Sequence, residues 1–142
     1  MASTYTDLGL ELMATGENAG TWGTKTNANL NLIEQLTGGY LVQTLNAAGT
    51  GVNTTPLTID DGALTGEAQN RVIILGAVSP QAITGNKTVT VPLLTETFYF
   101  IKNSTSGAYT VQLKAVSGSG ATVTFGAADK GWKIVYVDGV AT

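Results

Sequence analysis

The pair Gly38-Gly39 separates two kinds of sequence, and that separation limits what the chain can fold into. Upstream, Leu30, Ile33 and Leu36 recur at helical spacing with Leu32 alongside, while Thr24, followed three residues later by Asn27, supplies a start signal and the glycine pair a stop. These signals predict a helix of about three turns. Alone in water so short a helix does not persist, so its Leu/Ile face must dock on something. In GENAGTWG, glycines bracket Trp22. That suits a tight turn which either drives the indole into a partner surface or seats it in the core at the helix start. Still earlier, Leu8, Leu10 and Leu12 alternate with Asp7, Gly9 and Glu11. Period two makes Thr4 to Ala14 a strand or an extended arm. It fits an arm laid on a neighbouring subunit, pairing by its backbone, and equally a first strand of the domain itself.

Downstream of the glycine pair the period becomes that of β-structure. Tyr40 to Leu45 and Leu57 to Ile59 read as strands, separated by the polar loop AAGTGVNTTP; Asp60-Asp61-Gly62 marks a turn. The continuous apolar run RVIIL, Arg71 to Leu75, predicts a covered central strand, and turns at Ser79-Pro80 and Gly85-Asn86 precede Val89 and Val91. In TFYFIK, Phe98, Phe100 and Lys102 share one face and Tyr99 and Ile101 the other. Tyr109, Val111 and Leu113 alternate with polar residues, Val123 to Phe125 follows a Gly-Ser-Gly turn, and WKIVYV sets Trp132, Ile134 and Tyr136 against Lys133, Val135 and Val137 before Asp138-Gly139. Strands every 8 to 12 residues or so, with turn signals between them, predict an antiparallel β-sandwich or barrel-like domain over residues 41–142. An N-terminal arm and one short helix over residues 1–40 would precede it.

Two stretches carry a resemblance. The run GENAGTWGTKTNANLNLIEQ resembles an N-terminal motif of tailed-bacteriophage virion structural proteins, cyanophages among them, in which Gly-Glu-Asn, Thr-Trp-Gly, Thr-Asn and an Asn-Leu-x-Leu-Ile-Glu-Gln helix recur. Tyr99 to Val111 and Val135 to Gly139 resemble β-modules of phage tail and capsid-surface proteins. The resemblance implies a component of the phage particle. Fibres and spikes usually add a long shaft or a further domain, so the expectation is a capsid decoration or cement protein on the outer shell, made in the host cytoplasm. Its partners would be the major capsid protein and, by family analogy, two further copies of itself in a homotrimer. Leu8, Leu10, Leu12, Trp22, Leu30 and Ile33 are the expected contact residues. A tail fibre, adaptor or baseplate component is the alternative within the particle.

Composition narrows the chemistry. Only 12% of residues are charged and 18 are Gly, so the surface must be built largely from Thr, Ser, Asn, Gln and Gly. Net charge is −3 and the seven basic residues are scattered singly, which leaves no basic stripe for a phosphate backbone; no nucleic-acid partner is expected. There is no basic, apolar leader and no run long enough to span a bilayer, so no membrane partner is expected either. Without His or Cys, the Ser-His-Asp triad, thiolate catalysis and His- or Cys-ligated metals are excluded. The one adjacent carboxylate pair, Asp60-Asp61, runs into Gly62 as turn chemistry does, and Glu17, Glu34, Glu67 and Glu96 stand alone. The expectation is a protein without catalysis, cofactor or metal. A sugar-binding surface is the rival of another class: Trp132, Tyr136, Tyr99 and Tyr109 could form a platform, or sit in the core.

Overall fold

The computed structural model describes residues 3–45, 53–76 and 82–140. The turn expected at Ser79-Pro80 and most of the 47–56 loop lie outside the described residues. Within them, the chain forms a short hairpin, β1 (Thr4–Tyr5) and β2 (Glu11–Leu12), then α1 (Trp22–Gly38). Eight further strands follow: β3 (Tyr40–Gln43), β4 (Thr54–Pro56), β5 (Val72–Leu75), β6 (Lys87–Val91), β7 (Glu96–Asn103), β8 (Val111–Ala115), β9 (Val123–Phe125) and β10 (Trp132–Asp138). They build two four-stranded sheets, ordered β10-β7-β5-β3 and β4-β6-β8-β9.

The architecture is β-rich, as expected, but its sheets are of mixed orientation and not antiparallel. Strands β3, β5 and β7 run parallel, as do β4, β6 and β8. Only β10 on β7 and β9 on β8 close the two sheets in antiparallel fashion. Parallel neighbours cannot be joined by a tight turn and need a crossover of about a dozen residues or more. Here each crossover is a strand of the opposite sheet: the chain passes from β3 to β4, β5 to β6 and β7 to β8, three coils stacked in register. Regularly spaced strands with turns between them suit this winding as well as they suit a meander, which is why the sequence pattern did not separate the two. Nor do the described residues form a closed barrel; each sheet keeps two edges.

Between the sheets lies one apolar core. Ile73, Leu75, Tyr99, Ile101 and Val135 enter it from the first sheet, and Val89, Val91, Val111, Leu113 and Phe125 from the second. The Tyr99 hydroxyl donates to the Ala68 carbonyl at 2.8 Å, and burial pushes its ionisation up to about 12, so it remains a donor across the whole working pH range. As expected, β5 is central in its sheet, yet its two faces differ. Ile73 and Leu75 belong to the core, whereas Val72 and Ile74 alternate onto the outer face.

The N-terminal segment is a folded-back hairpin and not the extended arm expected. Gly9 sits at φ +81° in its bend, and the Thr6 amide donates to the Leu10 carbonyl at 2.9 Å. Leu8 and Leu10 therefore lie in a turn, half-buried, and only Leu12 stands out on a strand. What ties the hairpin down is Gln69, fully buried: its amide donates to the Leu8 and Asp60 carbonyls at 3.0 and 3.2 Å and accepts from the Asp60 and Gly66 amides at 3.3 and 3.1 Å. A Cβ at Gly9 would meet the Gln69 side-chain nitrogen at 2.6 Å, so space and backbone conformation both demand glycine there.

Candidate functional site

Among the described residues, two apolar surfaces are left without a partner, one on the helix and one on the first sheet. The helix begins earlier than its sequence signals imply. Asn18, at φ +59°, turns the chain so that the Thr21 and Trp22 amides both donate to its carbonyl at 2.8 Å. Asn tolerates that conformation well, and it makes Trp22 the first residue of a 17-residue helix, about 25 Å long, instead of the tip of a turn.

One face of α1 is held. Asn29 grips the backbone of Glu11 in both directions, its oxygen accepting the Glu11 amide and its nitrogen donating to the Glu11 carbonyl, each at 2.9 Å. Gln35 donates to the Leu64 carbonyl at 3.1 Å, and Leu32 is buried. The buried Glu11 carboxylate accepts from Ser3 Oγ at 2.6 Å and from Lys25 Nζ at 3.0 Å. At 100° per residue, Trp22, Leu30 and Ile33 fall within a sector of about 80° beside this held face. All three are exposed, as is Leu12. The apolar residues that predicted docking are thus divided: Leu32 docks within the chain, while Leu30 and Ile33 face out.

The clasp on Glu11 is acid-sensitive. Its hydrogen bond from Ser3 and then its pairing with Lys25 hold the carboxyl below the ordinary value of 4.5. A group lowered on folding stabilises above its unfolded value and loses that contribution as pH falls through its folded value. The Lys25 ammonium, raised by Glu11, contributes up to strongly alkaline pH. Between pH 7 and pH 3 the hairpin should therefore loosen from α1, seen as a smaller protection factor of the Glu11 amide, its exchange taken relative to the chemical rate at each pH. A Glu11→Gln variant should lose most of that pH difference; an unchanged difference would mean another group holds the clasp.

The second surface is the outer face of β10-β7-β5-β3. Strand register sets its side chains in rows: Trp132, Lys102, Ile74 and Val42, then Ile134, Phe100, Val72 and Tyr40, then Tyr136 and Phe98, and last Asp138 and Glu96. Tyr40, Phe98, Phe100, Trp132, Ile134 and Tyr136 are between 37% and 70% exposed. Phe98 and Phe100 meet edge to face with ring centroids 5.9 Å apart. The Arg71 guanidinium lies 4.0 Å from the Phe98 centroid and donates to Thr97 Oγ1 at 3.0 Å and to the Phe98 carbonyl. Lys102 Nζ lies 5.7 Å from the Trp132 ring, and the Tyr136 hydroxyl donates to Glu96 at 3.3 Å. The Glu96 charge raises the ionisation of Tyr136, so it too remains a donor.

Of the four aromatics weighed as platform or core, Trp132 and Tyr136 are on this face, Tyr99 is in the core, and Tyr109 is in the β7–β8 connection. Phe98, Phe100, Ile134 and Tyr40 join the face; they are additional to the expected contact residues. The signal was present: β7 and β10 are apolar at both alternations, so both faces need cover. Asp60 accepts from Thr65 Oγ1 at 2.7 Å and closes the turn at Gly62, φ +68°. Among the described residues no three carboxylates gather within reach of one cation, and no helix is long and apolar enough to cross a membrane. No protein family, curated protein or solved structure matches the chain.

Proposed function

We propose that this protein is a non-enzymatic structural component of a tailed-phage particle, a decoration or cement protein on the outer capsid shell. The observation that carries the reading is the stripe Trp22, Leu30 and Ile33, with Leu12 nearby, exposed on the very segment that resembles virion proteins. Those side chains form a docking surface for the major capsid protein. Each contact need not be strong, since many copies on a lattice act together. A protein that binds the assembled shell and not its dissociated form stabilises the shell by mass action.

Particles with the protein should therefore release DNA at higher temperature than particles lacking it, and in high as well as low salt, because an apolar contact is not screened. Coincident release curves would defeat the cement reading. Leu30→Gln with Ile33→Gln should leave the fold intact and weaken decoration by about tenfold or more, as loss of a central apolar anchor does. Undiminished decoration by this variant would remove the helix from the contact.

Exposure of Trp132 and Tyr136 on one face favours a second reading, a glycan-binding surface. Retention of the purified protein on host envelope polysaccharide, lost in Trp132→Ala, would move that reading to the front.

A further inference from the structure

We infer that the outer face of the first sheet pairs with the same face of a second copy, around a two-fold axis lying between the faces and across the strands. The inference stands on the sheet and not on the particle reading. The face is large enough. Taking aromatic side chains at about 150–250 Å² each and their exposed fractions, Tyr40, Val42, Phe98, Phe100, Trp132, Ile134 and Tyr136 offer roughly 800 Å², which is what one partner contributes to a standard interface.

Charge decides who the partner is. Lys102 stands in the row at one end of the face, and Glu96 and Asp138 share the row at the other, six residues along β7 or about 20 Å at strand rise. The rows between carry no charge except Arg71, which is already stacked on Phe98 and hydrogen-bonded to Thr97, so covering it strands no bare cation. Rotation about an axis across the strands, placed between the Phe100 and Phe98 rows, reverses the end-to-end order. Lys102 then meets Glu96 of the partner subunit, and the second Lys102–Glu96 pair follows by symmetry. The same operation sets Phe100 against Phe98 of the partner subunit and Ile134 against Tyr136 of the partner subunit, apolar on apolar.

An axis along the strands would instead set Lys102 on Lys102 and Glu96 on Glu96, so one geometry is selected. It is isologous and closed, leaving no face to propagate into a filament. Two faces stacked with strands aligned follow ordinary sheet-on-sheet packing, about 10 Å apart. A sugar fits less well, because it needs several polar groups to orient it. Besides Arg71, the two central rows offer only the Tyr40 and Tyr136 hydroxyls, and the latter already donates to Glu96.

Sedimentation equilibrium of the full chain should give a dimer in the micromolar range. Ile134→Lys, at a position 70% exposed and hence harmless to the fold, should make it monomeric. Lys102→Glu alone and Glu96→Lys alone should each raise the dimer dissociation constant by about tenfold, because each symmetric interface contains the pair twice. The double variant should recover most of that loss, since each Lys–Glu pair is restored with its signs exchanged while Asp138 in the same row keeps its charge. Four outcomes would overturn the proposal: a monomer at all concentrations, a trimer such as the virion resemblance implies, a double variant as weak as the singles, or a monomer that binds envelope polysaccharide through Trp132.

Discussion

Replacing Gln69 by Leu should cost the protein about 3–5 kcal/mol, a large part of the total stability of a domain this size. Leucine nearly matches the volume but satisfies none of the four backbone groups that the Gln69 amide serves. Two N–H groups, of Asp60 and Gly66, and two carbonyls, of Leu8 and Asp60, would lose these partners beside a fully buried side chain. Each buried group left unsatisfied costs about 1–3 kcal/mol, and the groups nearer the surface recover part of that from water. The urea midpoint should fall with little change in slope, and the Asp60 and Gly66 amides should exchange faster than those of β7. A midpoint within experimental error of the wild type would show that water can replace the glutamine. A loss without faster exchange at Asp60 and Gly66 would place the damage elsewhere.

Phe125→Ala should be comparably severe, at about 3–5 kcal/mol, or on the order of 10 °C in Tm for a chain of this length. Phe125 is fully buried and is the one core side chain supplied by β9, directly opposite Val111. Its ring also lies 5.1 Å from the Lys133 ammonium. Truncation leaves a cavity and unseats the antiparallel strand that covers β8, exposing a strand edge ready to pair with another chain. Aggregation on heating should therefore accompany the lower Tm. Ala in place of the half-buried neighbour Val123 should cost much less. Equal losses at the two positions would mean that β9 is held by its backbone and not by this ring.

Acid loosening at Glu11, weakened decoration after replacement of Leu30 and Ile33, and the charge-swap dimer each test a contact made outside the local chain. That is also where legibility ended. Local order was plain in the residues: alternation in Phe98 to Lys102 and Trp132 to Val137 determined which side chains share a face, and Gly38-Gly39 determined where helix gives way to strand. Such features depend on backbone geometry over a few residues, so short-range pattern encodes them. Which face turns inward was not encoded, because both alternations of β7 and β10 are apolar. Tyr99 and Val135 took the core, while Phe98, Phe100, Trp132, Ile134 and Tyr136 were left to solvent, only once the second sheet covered one side. Strand direction was likewise settled in three dimensions. A parallel and an antiparallel neighbour demand the same strand sequence, and the choice rests on where each crossover lands. The hairpin at Gly9 folded back because Gln69, some sixty residues away, offers hydrogen bonds that an extended arm would forgo. No local period can signal a partner at that distance. The sequence by itself determined the elements and their faces; tertiary structure decided their partners, since burial and hydrogen-bond satisfaction are properties of what comes to lie alongside.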